Sequence, residues 1–135
     1  MKIIMLTGAP DSGKSTTLKH LYEDFILKDG VSRQIMRENY EDSIDFFATF
    51  QRNDLKVGIC SSGDELQYIY ANHKRALDDG CGLYICANSH KLYAYRILEE
   101  DESGFALTKG PCDDIDEKRI IDVIMNIINH VQVLG

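Results

Sequence analysis

The chain has 135 residues, 44% of them hydrophobic and 27% charged, with a formal net charge of −7. That length suits a single domain over residues 1–135 with a core of its own, and the composition argues against a disordered chain. The negative charge, without a stripe of Lys or Arg, argues against a nucleic-acid partner, and no apolar run is long enough to span a membrane.

Ile3-Ile4-Met5-Leu6 is a short, continuous apolar run that reads as a strand buried on both faces. From Lys14 the period changes. Leu18, Leu21, Tyr22, Phe25 and Ile26 recur at helical spacing until Gly30 stops the helix. Val31 to Arg37 reads as a second short strand, and Glu38 to Ser43 as a loop. Phe46–Phe50 and Val57–Cys60 flank Arg52-Asn53-Asp54 and read as a hairpin, the second strand central and the first more peripheral. A helix is predicted over Asp64–Asp79 with Leu66, Ile69, Tyr70, His73 and Leu77 on one face, ended by Gly80 and Gly82. Leu83–Ala87 and Phe105–Thr108 read as further strands. In the C-terminal helix Ile120, Ile121, Ile124, Ile127, Ile128 and Val131 form an apolar stripe. Strands alternating with helices predict one α/β domain with a mostly parallel sheet, its active edge beyond the carboxyl ends of the strands.

Cys60, Cys81, Cys86 and Cys112 make no C-x-x-C pair and no zinc set with the four histidines. The first three lie in or beside apolar runs and read as small buried hydrophobes. The opening apolar run is too short for a secretory signal, so a cytoplasmic location with reduced thiols is expected. The acidic runs Glu99–Glu102 and Asp113–Glu117 each read as a solvated loop or the first turn of a helix, and His20, His73 and His130 as structural.

Gly8-Ala9-Pro10-Asp11-Ser12-Gly13-Lys14-Ser15 satisfies G-x-x-x-x-G-K-S/T at every fixed position, and Thr16 follows. Gly8 and Gly13 let the backbone turn so that its amides form a nest for a phosphate, while the helix that follows points its positive end at the same anion. Lys14 supplies a compact charge to the β- and γ-phosphates, and Ser15 offers a hydroxyl to Mg²⁺, which takes oxygen ligands. The position between a buried strand and an amphipathic helix separates this loop from an ordinary glycine-rich turn.

These residues resemble the opening of the P-loop NTPase superfamily, and the form G-x-P-x-S-G-K-S is similar to the loop of small P-loop kinases. The resemblance implies a three-layer α/β/α fold around a mostly parallel sheet, with ATP and Mg²⁺ as ligands of Gly8 through Thr16. It also implies an acidic residue after a hydrophobic strand that holds Mg²⁺ through water. Asp64 is the candidate, although three residues separate it from Cys60. The competing reading makes Ser62 and Glu65 a capping box for the next helix, with Asp64 favouring the helix's positive end. A lid arginine is implied as well, with Arg96 placed for it, and Arg33, Arg37 and Arg52 as weaker candidates beside a solvated-surface reading. Asp11 would face an acceptor or simply suit a turn. Glu38, Glu41, Asp42 and Asp45 are undistinguished candidates for a general base. Tyr93 and Tyr95 read as strand residues rather than a base-stacking pair.

Two functions follow. One is a Mg²⁺-dependent phosphotransferase that moves the γ-phosphoryl of ATP to a small molecule. The other is an ATPase or nucleotide-dependent switch acting on a protein partner. A GTP switch fits less well, because Asn88-Ser89-His90-Lys91 departs from N-K-x-D at its Lys and Asp.

Overall fold

A computed structural model describes residues 1–9, 12–89, 105–108 and 114–134. Among the described residues the strands are β1 (Lys2–Thr7), β2 (Ser32–Asn39), β3 (Phe46–Arg52), β4 (Leu55–Cys60), β5 (Leu83–Asn88) and β6 (Phe105–Thr108). They form one sheet in the order β2-β3-β4-β5-β1-β6.

The sheet is mixed, which corrects the expected P-loop-like, three-layer α/β/α fold on a mostly parallel sheet. β4–β5, β5–β1 and β1–β6 are parallel, whereas β2–β3 and β3–β4 are antiparallel. Chain length decides it. Parallel neighbours need a crossover of a dozen or more residues, and the links from β2 to β3 and from β3 to β4 are too short for one. The second link is a tight turn in which Asn53 has φ 53°, the left-handed region that Asn tolerates and a two-residue hairpin demands. In the first, the Tyr40 amide donates to the Asp45 carbonyl at 3.0 Å. The hairpin predicted from residues 46–60 is therefore present. β3 lies nearer the edge than β4, as expected, although β2 covers its outer side and nearly all of it is buried.

The loop after β1 leads into α1 (Lys14–His20), which continues as a wider π-helical stretch over Leu21–Ile26. In that stretch the Leu27 amide reaches back five residues to the Tyr22 carbonyl at 2.9 Å. The wide turn keeps Tyr22 and Ile26 buried but leaves Phe25 exposed, against the simple helical pattern. α2 spans Leu66–Asp78 and α3 spans Asp114–Leu134.

One face of the sheet, with Ile4, Leu6, Val57 and Ile85, packs against Leu18, Leu21, Tyr22 and Ile26, and against Ile120, Ile121, Ile124 and Ile128 of α3. Each of those isoleucines contributes about 2 kcal/mol by leaving water. The opposite face, with Ile3, Met5, Phe47 and Cys60, packs on Ile69 and Ala76 of α2. The face predicted for α2 is thus partly wrong. Ile69, Asn72 and Ala76 are buried, while Leu66, Tyr70 and Leu77 are exposed. A stripe through 69, 72 and 76 has the correct period, but its small and polar members hide it from a count of large apolar residues.

Candidate functional site

β1 delivers the glycine loop to the carboxyl ends of β1, β4 and β5. Gly13 immediately precedes α1 at φ 90°, a left-handed conformation that glycine takes without steric cost. The Ser12 amide donates to the Ala9 carbonyl at 3.3 Å, and the Thr17 amide donates to the Gly13 carbonyl at 2.9 Å, starting the helix. Lys14 is only 4% exposed. Its Nζ donates to the Ala9 carbonyl at 2.7 Å and lies 3.7 Å from Asp64 Oδ1. The lysine therefore folds back across the loop that precedes it.

The segment after β4 lies against this loop. Ser15 Oγ donates to the Ser61 carbonyl at 3.1 Å. Ser61 is fully buried; its hydroxyl donates to Asp45 Oδ1 at 3.0 Å and accepts the Phe46 amide at 3.0 Å. Gly63 lets the segment press on the end of β5, because a Cβ there would lie 2.4 Å from the Ala87 carbonyl carbon. Ser89 binds the Gly63 carbonyl through its amide at 2.8 Å and its hydroxyl at 3.0 Å. These contacts fix Asp64 beside Lys14. The alternative capping box does not form: α2 starts at Leu66, after Glu65, without a side-chain cap.

Within the loop, Ser12 is buried and Thr16 is exposed, while the fully buried hydroxyl belongs to Thr17. Ser12 Oγ and Thr17 Oγ1 have no hydrogen-bond partner among the described residues. The loop pattern ends one or two positions before Thr17 and does not reach it; the signal for it is a hydroxyl beside Leu18 and Leu21 on the buried helix face. Pro10 and Asp11 lie outside the described residues, as do Arg96, Tyr93, Tyr95 and Cys112.

The other arginines serve packing. Arg37 lies over the Phe46 ring at 4.7 Å and pairs with Glu23 at 3.0 Å. Arg52, at the opposite end of the sheet, bonds Asp29 at 3.1 Å and Asn129 at 2.6 Å. Arg33 is exposed on β2. His20 is held by Glu117 of α3, and His73 stacks on Tyr84 with ring centroids 6.2 Å apart.

Next to Asp64 a cavity of about 400 Å³ opens between the 40–45 loop and the 61–65 segment. Tyr40, Glu41, Ser43 and Asp45 line one side; Ser62, Asp64, Glu65 and Tyr68 line the other. Glu41 and Asp45 thus stand out from the four carboxylates considered as bases, while Glu38 pairs with Arg75 at 3.0 Å. The Tyr40 and Tyr68 rings have centroids 6.3 Å apart. Tyr40 donates to Asn72 Oδ1 at 3.0 Å, and burial, reinforced by the neighbouring Cys60, pushes its hydroxyl up to about 12. At neutral pH it is a donor and not a base. Burial likewise pushes the Cys60 thiol up to about 11 and raises Cys81 and Cys86, so these free cysteines are poor nucleophiles.

Among the described residues no three His, Cys, Asp or Glu side chains converge to hold a metal ion. None of their helices is long and apolar enough to cross a membrane. Comparison of the chain with family models, with curated proteins and with solved structures gave no match to any of them.

Proposed function

We propose that the chain binds ATP with Mg²⁺ on the loop from Gly8 to Thr16 and transfers the γ-phosphoryl group to a small-molecule acceptor, acting in the cytoplasm. The observation that carries this reading is the buried Lys14, whose ammonium is drawn back over the loop onto Ala9 and Asp64. A lysine this buried, at the start of a helix and behind a left-handed glycine, is placed to exchange those contacts for phosphate oxygens. The unpartnered Ser12 hydroxyl supports the same reading, since a buried donor without a partner costs about 1–3 kcal/mol and a phosphate would satisfy it.

Ser15 and Asp64 fit a Mg²⁺ that is shared with phosphate oxygens. The Ser15–Ser61 bond brings their two segments together, and one hydroxyl with one carboxylate is the sparse protein contribution such an ion takes. When bound there, the ion would offset charge on the β- and γ-phosphates. Lys14 would orient the γ-phosphate. The acceptor oxygen would attack the γ-phosphorus as the bond to the bridging oxygen breaks, and ADP would leave with that electron pair. The hydroxyl proton would pass to a carboxylate of the cavity wall, Asp45.

The cavity beside Asp64 favours transfer over a hydrolytic switch, because it offers an acceptor a place next to the lysine. ADP release should therefore depend on Mg²⁺ and rise with the right hydroxyl compound. Slow release indifferent to every acceptor, and altered by another protein, would favour the switch.

A further inference from the structure

We infer that the acceptor is a hydroxyl-bearing organic cation, an amino alcohol or amino sugar rather than a neutral or anionic metabolite. This inference rests on the phosphotransfer reading and adds to it the chemical class of the second substrate. Four carboxylates, Glu41, Asp45, Asp64 and Glu65, line the cavity, and among the described residues no Lys or Arg lines it. An acceptor bearing a carboxylate or phosphate would meet like charge on both walls, away from the end where Lys14 faces Asp64, whereas an ammonium would be attracted from both.

The carboxylates are not the whole of the feature. They surround a concave space of about 400 Å³, within the size range of small-molecule pockets. Tyr40 and Tyr68 contribute two rings to its wall with centroids 6.3 Å apart, and aromatic faces attract organic cations. Ser43 and Ser62 add hydroxyls able to bind a polyol. The acids ring the space without converging on a point, as three or more would have to for a bare metal ion. Three of the four have partners within the chain. Asp64 faces Lys14 at 3.7 Å, Asp45 accepts from Ser61 at 3.0 Å, and Glu65 accepts from the Gln67 amide at 3.2 Å. The Gln67 amide is neutral and leaves the charge of Glu65 in place, so Glu41 and Glu65 are the acids best placed to recognise an ammonium, with Asp64 marking the end where phosphoryl transfer would occur.

The test compares glucosamine, glucose and glucose 6-phosphate, which share a ring and differ in charge, with ethanolamine as a minimal amine. ADP release is followed with Mg-ATP, and calorimetry measures the binding of each compound alone and of Mg-ATP alone. Glucosamine or ethanolamine should accelerate release and bind on its own. Its KM should rise with salt, and should rise about ten-fold in Glu41→Gln or Glu65→Gln, with Glu41→Asp restoring most of the loss. If glucose or glucose 6-phosphate serves as well as the amine, the inference is overturned while phosphotransfer stands. Absence of Mg-ATP binding sinks the phosphotransfer reading by itself. Amine binding that is lost in Glu41→Gln would then still uphold the cavity as a cation site, and no amine binding would end that too.

Discussion

Neutralising Asp64 should change nucleotide binding in opposite directions depending on magnesium. In Asp64→Asn the carboxylate that faces Lys14 at 3.7 Å becomes an uncharged amide of nearly the same shape. Two unit charges at that distance attract by about 1 kcal/mol in the dielectric of water and by about 4 kcal/mol at the lower effective value found near protein surfaces. Asp64 is 56% exposed, so the smaller figure applies. Without magnesium, that attraction competes with the phosphates for the ammonium. Its removal should tighten ATP binding about five-fold, which corresponds to about 1 kcal/mol. With magnesium, the lost carboxylate no longer helps to hold the ion, and affinity should fall. Calorimetric titration with ATP, in chelator and in excess Mg²⁺, reads both arms. Lys14→Ala sets the scale: loss of one charge-assisted contact of about 1.5–3 kcal/mol should weaken binding roughly 10- to 150-fold in both conditions. A shift of the same sign with and without Mg²⁺ would refute the two roles given to Asp64.

Three further predictions concern the frame around the site. Asp29 and Arg52 form a largely buried pair, 12% and 8% exposed, and Asp29→Ala should cost about 2–3 kcal/mol in urea unfolding by removing the carboxylate that binds both the guanidinium and the 31–32 amides. Burial alone would raise the Asp29 carboxyl, but bonds from the Ser32 and Val31 amides, the Ser32 hydroxyl and Arg52 outweigh it and hold it below the usual 3.8. Its contribution is therefore present above the unfolded value and lost as pH falls through the lower folded value, and the variant should flatten the acid limb of the stability profile. His20 is raised above 6.5, chiefly by its hydrogen bond to Glu117, so that tie is fully present below 6.5 and disappears as pH rises through the higher folded value. Because His20 is half exposed, thermal melts of His20→Gln should show a loss of only about 0.5 kcal/mol, confined to the acidic side. Gly63→Ala places a methyl 2.4 Å from the Ala87 backbone, so the 61–65 segment must shift; unfolding should show a cost of about 1–3 kcal/mol together with weaker ATP binding.

Local pattern made some of this legible and concealed the rest. The run Ile3–Leu6 and the stripe Ile120–Ile128 each carry their signal within a few neighbouring residues, and each lies in the element it predicts. The covering of β3 by β2 was not legible, because β2 alternates poorly: Arg33, Gln34 and Ile35 are all exposed, and the register shifts between Gln34 and Met36. Nor was the buried face of α2, where Asn72 and Ala76 occupy positions that larger apolar residues seemed to claim. The cavity joins Tyr40 to Tyr68 and Asp45 to Ser62, pairs that no periodicity links. Tyr40 sits in a polar stretch without periodicity, where an aromatic residue amid Glu38, Glu41 and Asp42 is the one sign of a wall.

The reversal that overturns the expected sheet also explains why a cavity exists where it does. In a sheet whose neighbours all run parallel, β2 would be followed by a long crossover, and its carboxyl end would send the chain away across a face. Here β2 turns back directly into β3, and Asn39 pairs with Phe46 at the same end of the sheet where Phe47 pairs with Cys60. The 40–45 loop is therefore held beside the segment that leaves β4. Ser61 joins the two, its hydroxyl on Asp45 and its carbonyl on Ser15. An antiparallel pairing that removes the expected regularity thus builds the second wall of the cavity and links it through one buried serine to the loop that carries Lys14. Ser61→Ala should uncouple them: with the hydroxyl's bonds to Asp45 and to the Phe46 amide gone, the acceptor KM should rise more than the KM for ATP, because Ser15 binds the Ser61 main chain, which the substitution leaves in place. Equal losses for both substrates would show that Ser61 supports the fold at large and not the join between its two sites.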